Sequence, residues 1–166
     1  MKCPVINKTS IEYPTSFFEL GSFKMNITEN EGVTNIMIEA PSIDFKANLF
    51  YLENSSEGSL WALPLDNDGN LYLFDHKKFG LPTLGTYSFK GKTYTCSEGE
   101  CLTNYDEGRG HLSYHTNWFW ASFATYLPDG RTFALDLGDG LGEEFTSKQK
   151  AYEDFAIIDG KHYKLD

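Results

Sequence analysis

The stretch Asn104–Ser122, NYDEGRGHLSYHTNWFWAS, holds two of the three tryptophans, one of the two arginines and two of the four histidines of a 166-residue chain. Asp106-Glu107-Gly108-Arg109-Gly110 reads as a polar turn, because its glycines allow positive φ or a close approach of backbone to a neighbour. Tyr114 to Tyr126 then reads as one long strand. The period of two puts Tyr114, Thr116, Trp118, Trp120, Ser122 and Ala124 on one face and His115, Asn117, Phe119, Ala121 and Phe123 on the other. Aromatic residues on both faces predict a strand covered on both sides, as in a barrel or a sandwich.

The same periodicity runs outward from this stretch. Ile43, Phe45, Ala47, Leu49 and Tyr51 alternate with Asp44, Lys46 and Asn48, the pattern of a half-buried antiparallel strand. Phe17–Thr28 reads as a single strand after an extended lead-in, Asn30-Glu31-Gly32 as a turn, and Val33–Glu39 as the next strand. Ser59–Leu65 and Asn70–Asp75 flank a hairpin turn at Asp66-Asn67-Asp68-Gly69. That turn lacks the terminal acid a calcium loop needs, since Lys77 stands at that position. His76–Pro82 reads as a polar loop, and Leu84–Phe89 and Lys92–Cys96 as a hairpin about Lys90-Gly91. In Arg131–Leu137, Phe133, Leu135 and Leu137 point one way and Thr132, Ala134 and Asp136 the other. Gly138–Gly142 reads as a loop, Glu143–Tyr152 as the one short helix, and Phe155–Ile158 with Lys161–Leu165 as a last hairpin about Asp159-Gly160. The fold class that follows is all-β and antiparallel, a single domain over residues 1–166 with at most one short helix.

Composition narrows the function. Hydrophobic residues at 40% and aromatics at 16% suit strands and an aromatic-lined cavity. A net charge of -10 and a pI near 4.8 argue against nucleic acid or an anionic membrane surface as partner. No run is long enough to span a membrane as a helix. Three cysteines and an opening without an apolar signal core point to a reduced, cytoplasmic setting, in which Cys96 and Cys101 are expected as two thiols.

Asp106 and Arg109 lead the candidates for chemistry. A desolvated carboxyl serves as a general acid, whereas direct pairing with an arginine keeps it ionised and makes the pair a structural clamp. Both alternatives stand on the sequence. His115 is a candidate proton donor or hydrogen-bond partner. His111 and His115 stand about 13 Å apart on a strand, too far to share an ion, so no metal is expected. Tyr114, Trp118 and Trp120 are candidates for the floor of an apolar pocket, their polar tips free to orient a ligand atom. Asp136, Asp139, Glu143 and Glu144 read as a solvated acidic loop, with a glycosidase-like carboxylate pair as the alternative. GDGLG has neither the ending of a P-loop nor a dinucleotide fingerprint, and no cofactor is expected.

YDEGRG, then WFWAS, then PDGRTFALDLGDG, then IIDGKHYKL together resemble the domain of unknown function 2804 family. HKKFGLPTLGTYSFKGKTY is similar to that family's lysine-leading hairpin, with Thr83 where a small residue is usual. The resemblance spans about Leu71 to Leu165. It implies a lipocalin-like β-barrel or partial barrel, a distant relation to carotenoid hydratases and lipocalin-like cyclases, and a pocket for an apolar small molecule. It also implies a truncated member that holds about half of a two-barrel arrangement, with self-association or a missing second half as the way its edges are closed. The leading expectation is therefore an apolar small-molecule binding protein with proton-assisted hydratase, isomerase or cyclase chemistry. A carbohydrate-binding or glycan-processing β-domain is the alternative, and a structural half-domain the third reading.

Overall fold

Two-residue turns organise the chain. At Glu31-Gly32, Lys90-Gly91 and Asp159-Gly160 both residues have positive φ, the type I′ geometry whose twist matches that of the strands it joins. A computed structural model describes residues 6–9, 14–64, 70–111, 117–140 and 154–165. The expected turn at 66–69 and helix at 143–152 lie outside the described residues. The fold is all-β: the antiparallel sheet is strongly curled, a partial barrel, with no α-helix among the described residues.

Contacts divide the chain into two compact units, Met1–Ser55 with Pro82–Cys101, and Ser56–Leu81 with Leu102–Asp166. The first unit contains β1 (Ile6–Thr9), β2 (Pro14–Leu20), β3 (Phe23–Asn30), β4 (Val33–Ala40) and β5 (Phe45–Leu52), paired in order. The single strand expected over Phe17–Thr28 is in fact β2 and β3, joined at Gly21-Ser22 with Gly21 at φ 60°. Continuous β-propensity on either side masked a tight turn that only its glycine announces.

A second correction concerns β6 (Ser59–Pro64) and β7 (Tyr72–Phe89). The polar loop expected at His76–Pro82 is the middle of the 18-residue strand β7. Its C-terminal half pairs with β5, Phe45 opposite Phe89, and with β8 (Lys92–Cys96), Phe89 opposite Lys92. On one face Ile38, Ala47, Tyr87 and Tyr94 line up across four strands, with Tyr87 stacked on Tyr94 at 4.9 Å between ring centroids. Gly85 is required here, since a Cβ would stand 2.2 Å from the Asn48 carbonyl oxygen.

The second unit holds the candidate site. The N-terminal half of β7 pairs with β6, Trp61 opposite Asp75, and with β9 (Leu102–His111). The residues read as a polar turn, Asp106–Gly110, thus belong to a strand. β10 (Phe119–Tyr126), β11 (Thr132–Asp139), β12 (Phe155–Ile158) and β13 (Lys161–Lys164) form a four-stranded antiparallel sheet in chain order. β11 extends through Gly138 and Asp139, which were expected in a loop. Its buried face carries Thr132, Ala134 and Asp136 rather than Phe133, Leu135 and Leu137. Phe79 of β7 packs with Ala134, Phe155 and Ile157, and partly buried Ala124 joins them as the apolar core of this unit.

Cys96 and Cys101 form a disulfide, Cα to Cα 5.4 Å, in place of the expected two thiols. The turn between them, closed by the Glu100 N–H on the Ser97 carbonyl, brings the two residues to a separation at which their Sγ atoms can bond. In denaturant without reductant, one of the three cysteines should therefore react with a thiol reagent, and all three after reduction. Cys101→Ser should cost about 2 kcal/mol in chemical denaturation, the value for closing so short a loop.

Candidate functional site

Along β7 the inward residues are Asp75, Lys77, Phe79 and Leu81, all buried. Phe79 and Leu81 belong to the apolar core, whereas Lys77 carries its ammonium to the next position with only 2% of its side chain exposed. An isolated ammonium cannot be held there, because removing it from water costs several kcal/mol unless opposite charges and hydrogen bonds replace the solvent. Three carboxylates do so. Lys77 Nζ lies 3.6 Å from Asp75 Oδ2, 3.2 Å from Asp106 Oδ2 and 3.3 Å from Asp136 Oδ2. Each comes from a different place in the chain: the same strand, β9 and β11.

Trp120 of β10 completes the assembly. Its indole N–H donates to Asp136 Oδ1 at 2.7 Å, and its ring centroid lies 5.1 Å from Lys77 Nζ. Asp136 is fully buried and Asp75 nearly so, while Asp106 is 36% exposed and Trp120 about half exposed. The cluster is closed on the core side and open at Asp106 and Trp120. With every carboxyl ionised it would carry three negative charges against one positive. Each carboxylate oxygen lies within 3.6 Å of the same nitrogen, so the oxygens are under ~7 Å apart, and two ionised carboxylates there repel by at least roughly 2 kcal/mol at an effective dielectric of about 20.

The D-E-G-R-G spacing explains how β9 delivers its acid. On a strand Asp106, Gly108 and Gly110 share one face, and Tyr105, Glu107 and Arg109 the other. A Cβ on Gly108 would stand 3.7 Å from Asp75 Oδ1, and one on Gly110 only 2.0 Å from the Tyr72 carbonyl oxygen. Gly110 lets β9 lie close against β7, a Cβ at Gly108 would make only ordinary contacts, and Asp106 is the acid on that face. On the opposite face Glu107 accepts hydrogen bonds from the Tyr105 hydroxyl and from the Arg109 guanidinium, whose Nε lies 2.7 Å from Glu107 Oε1. Tyr105 also meets the edge of His76 at 5.8 Å, and Tyr72 stacks on His111 at 6.0 Å. The Tyr105 hydrogen bond is the largest influence holding the Glu107 carboxyl below its ordinary value of 4.5; burial, the next largest, pushes it up, and the Arg109 guanidinium lowers it again.

Of the residues singled out from sequence, Asp106 and Trp120 meet at Lys77. Arg109 stands on the other face with its side chain 76% exposed, paired with Glu107 rather than Asp106. Trp118 immediately precedes β10 and is about half exposed. Tyr114 and His115 lie outside the described residues. Asp136, expected on a solvated acidic loop, is instead at the centre of the cluster, because β11 turns its aspartate face inward. Lys77, and Asp75 just before the run, are hidden in the sequence because the polar, glycine- and proline-bearing HKKFGLP has the composition of a loop. The available signal was the alternation of Asp75, Lys77, Phe79 and Leu81, legible once a charged pair is allowed on a buried face. Among the described residues, no group of three or more His, Cys, Asp or Glu is arranged to hold a metal ion. The three aspartates converge on an ammonium instead.

Lys77→Met should destabilise the protein by about 3–5 kcal/mol at neutral pH in urea unfolding, because it strands buried carboxylates without their cation. The loss should shrink as the medium is acidified and those carboxyls take up protons. Glu107 gives a second check. Its depressed value adds stability that is present above the unfolded value near 4.5 and is lost as pH falls through the folded one. Carboxyl NMR should place its midpoint below 4.5, and Tyr105→Phe should move it back up.

No curated protein and no solved structure matches this chain. A family model does, over residues 4–166, nearly the whole length. The chain belongs to the family described as Domain of unknown function (DUF2804).

Proposed function

We propose that this chain is a lipocalin-like protein that binds an apolar small molecule against Trp118 and Trp120, with Asp106 passing a proton to the bound molecule. The observation that carries the reading is the placement of Asp106. It is the half-open member of a buried lysine–carboxyl cluster, beside an indole that is itself half open. Ligand sites are built this way, from apolar walls with a few fixed polar groups, and a proton donor must be both held and reachable. The reaction class is proton-assisted hydration, isomerisation or cyclisation of an apolar substrate. Its support is the lipocalin-like relation that the curled antiparallel sheet accommodates, an analogy at the level of fold. Arg109 keeps Glu107 in place on the far face of β9 and serves the site by fixing that strand. His115 and Tyr114, a few residues before Trp118 in the chain, complete the proposed set as proton partner and wall.

A groove in the first unit favours a second reading, a hydroxyl-rich ligand such as an oligosaccharide. It has a volume of about 330 Å³ and is lined among others by Met37, Lys46, Asn48, Thr86, Ser88 and Thr93. Asn35 donates to the Asn48 side-chain oxygen at 2.7 Å, which leaves the Asn48 amide hydrogens for a ligand oxygen.

Titration with a polyene or a long-chain fatty acid should quench tryptophan fluorescence, and Trp120→Phe should remove most of that response. Asp106→Asn should keep the fold, as judged by circular dichroism, and abolish turnover or the ligand-linked change. Collapse of the Asp106→Asn fold would assign the cluster to structure alone. Oligosaccharides that leave the tryptophans unchanged and shift the Asn48 side-chain amide resonances would support the second reading instead.

A further inference from the structure

We infer that Cys96 and Cys101 form a reversible thiol–disulfide site, in which Cys101 exchanges with a low-molecular-weight thiol or its disulfide and Cys96 resolves the adduct. The site lies wholly in the first unit and is independent of the ligand reading of Trp120 and Asp106.

Backbone placement carries the first half. Strand β7 holds both cysteines: Cys96 stands opposite Gly85 in the β7–β8 pairing, and the Cys101 carbonyl accepts from the Thr83 N–H at 3.0 Å. Between them the turn Ser97-Glu98-Gly99-Glu100 is closed by its own hydrogen bonds. The Glu100 N–H donates to the Ser97 carbonyl at 3.1 Å, and the Ser97 N–H to Glu100 Oε2 at 3.3 Å. Gly99 supplies a positive φ of 77° within it. None of these contacts involves sulfur, so the two Cα atoms, 5.4 Å apart, stay at disulfide-forming distance when the bond is open. A bond that closes so short a loop also constrains the unfolded chain less than a long-range one does. The pairing of β7 with β8 therefore persists in both states, and the bond re-forms between thiols already side by side.

Access carries the second half. Cys96 is 6% exposed at the end of β8, whereas Cys101 is half-buried at the end of a turn whose four residues are all exposed. Exchange begins at the sulfur a reagent can reach. In the oxidising direction the Cys101 thiolate attacks a small disulfide RSSR, forms a mixed disulfide and releases RS⁻. The Cys96 thiolate then attacks the Cys101 sulfur and expels the second RS⁻, so RSSR is reduced to two thiols as the pair is oxidised. In the reducing direction RS⁻ attacks the Cys101 sulfur and Cys96 leaves as thiolate. A second RS⁻ then removes the first as RSSR, and both cysteines take up protons.

The test follows the pair in the folded full chain with Cys3→Ser, which leaves these two cysteines alone. Because the turn carries Glu98 and Glu100, the probe is uncharged 2-mercaptoethanol and its disulfide, so that charge repulsion does not mask access. Acid quenching, alkylation and intact mass should show the reduced probe opening the bond and the oxidised probe restoring it, with circular dichroism the same in both states. An early quench followed by peptide mapping should place the mixed disulfide on Cys101. With Cys96→Ser added, the oxidised probe should leave a stable adduct on Cys101. With Cys101→Ser added instead, the adduct on Cys96 should form at least about tenfold more slowly. If the Cys101→Ser chain fails to fold, the position of the early adduct decides. Opening only at the rate of global unfolding, loss of the dichroism spectrum on reduction, an early adduct on Cys96, or equal adduct rates at the two cysteines would overturn the proposal.

Discussion

The buried Lys77 ammonium constrains the second unit more than any other group in it. Phe79 and Leu81 extend the same face of β7 into the apolar core, so a cation two residues further along must be neutralised without water. Asp75 supplies one carboxylate from the same strand. The others have to come from strands distant in sequence, β9 and β11, and that requirement fixes the position of both. An apolar side chain of similar volume, with apolar partners, would hold these strands together at lower desolvation cost. Strand packing alone therefore gives no reason for three aspartates and a lysine at this place.

The order of residues along the paired strands turns this into a graded interior. Phe79, Ala134, Phe155 and Ile157 make the dry end, and two residues along β7 and β11 stand Lys77 and Asp136 at the charged end. Beyond those, Asp106 and Trp120 reach solvent. Trp120 suits the boundary because its ring faces the ammonium and its one polar hydrogen is satisfied by a buried carboxylate. The apolar end supports the strands on which the polar end is displayed, so site geometry and core packing are not separable here.

Much of the fold was legible in the sequence, for reasons that also explain what was not. Glu31-Gly32, Lys90-Gly91 and Asp159-Gly160 announce hairpins because few residues tolerate two consecutive positive φ values. The alternation through Phe45, Ala47, Leu49 and Tyr51 announces β5 because its two faces differ sharply in polarity. Hydrophobic periodicity fails where the inner face is itself charged. β7 was broken into strand, loop and strand at the segment that carries Asp75 and Lys77, and β11 showed an apolar face at Phe133, Leu135 and Leu137 that is not its buried one. The residues that make the site were those that make the pattern unreadable. Asp106 and Trp120 were found by unusual composition, whereas Lys77, Asp75 and Asp136 needed the paired strands to be seen together.

The five letters DEGRG show how strongly a local reading governs a functional one. As a turn they fold Asp106 back towards Arg109, and an acid beside a guanidinium becomes an ionised clamp. As the strand β9 they separate the two onto opposite faces, send Arg109 to Glu107, and place Gly110 on the face of Asp106 where the backbone of β7 comes close. The acid then meets a lysine whose charge it shares with two other carboxyls. The backbone reading alone thus moves Asp106 from an exposed ion pair to the open rim of a buried lysine cluster.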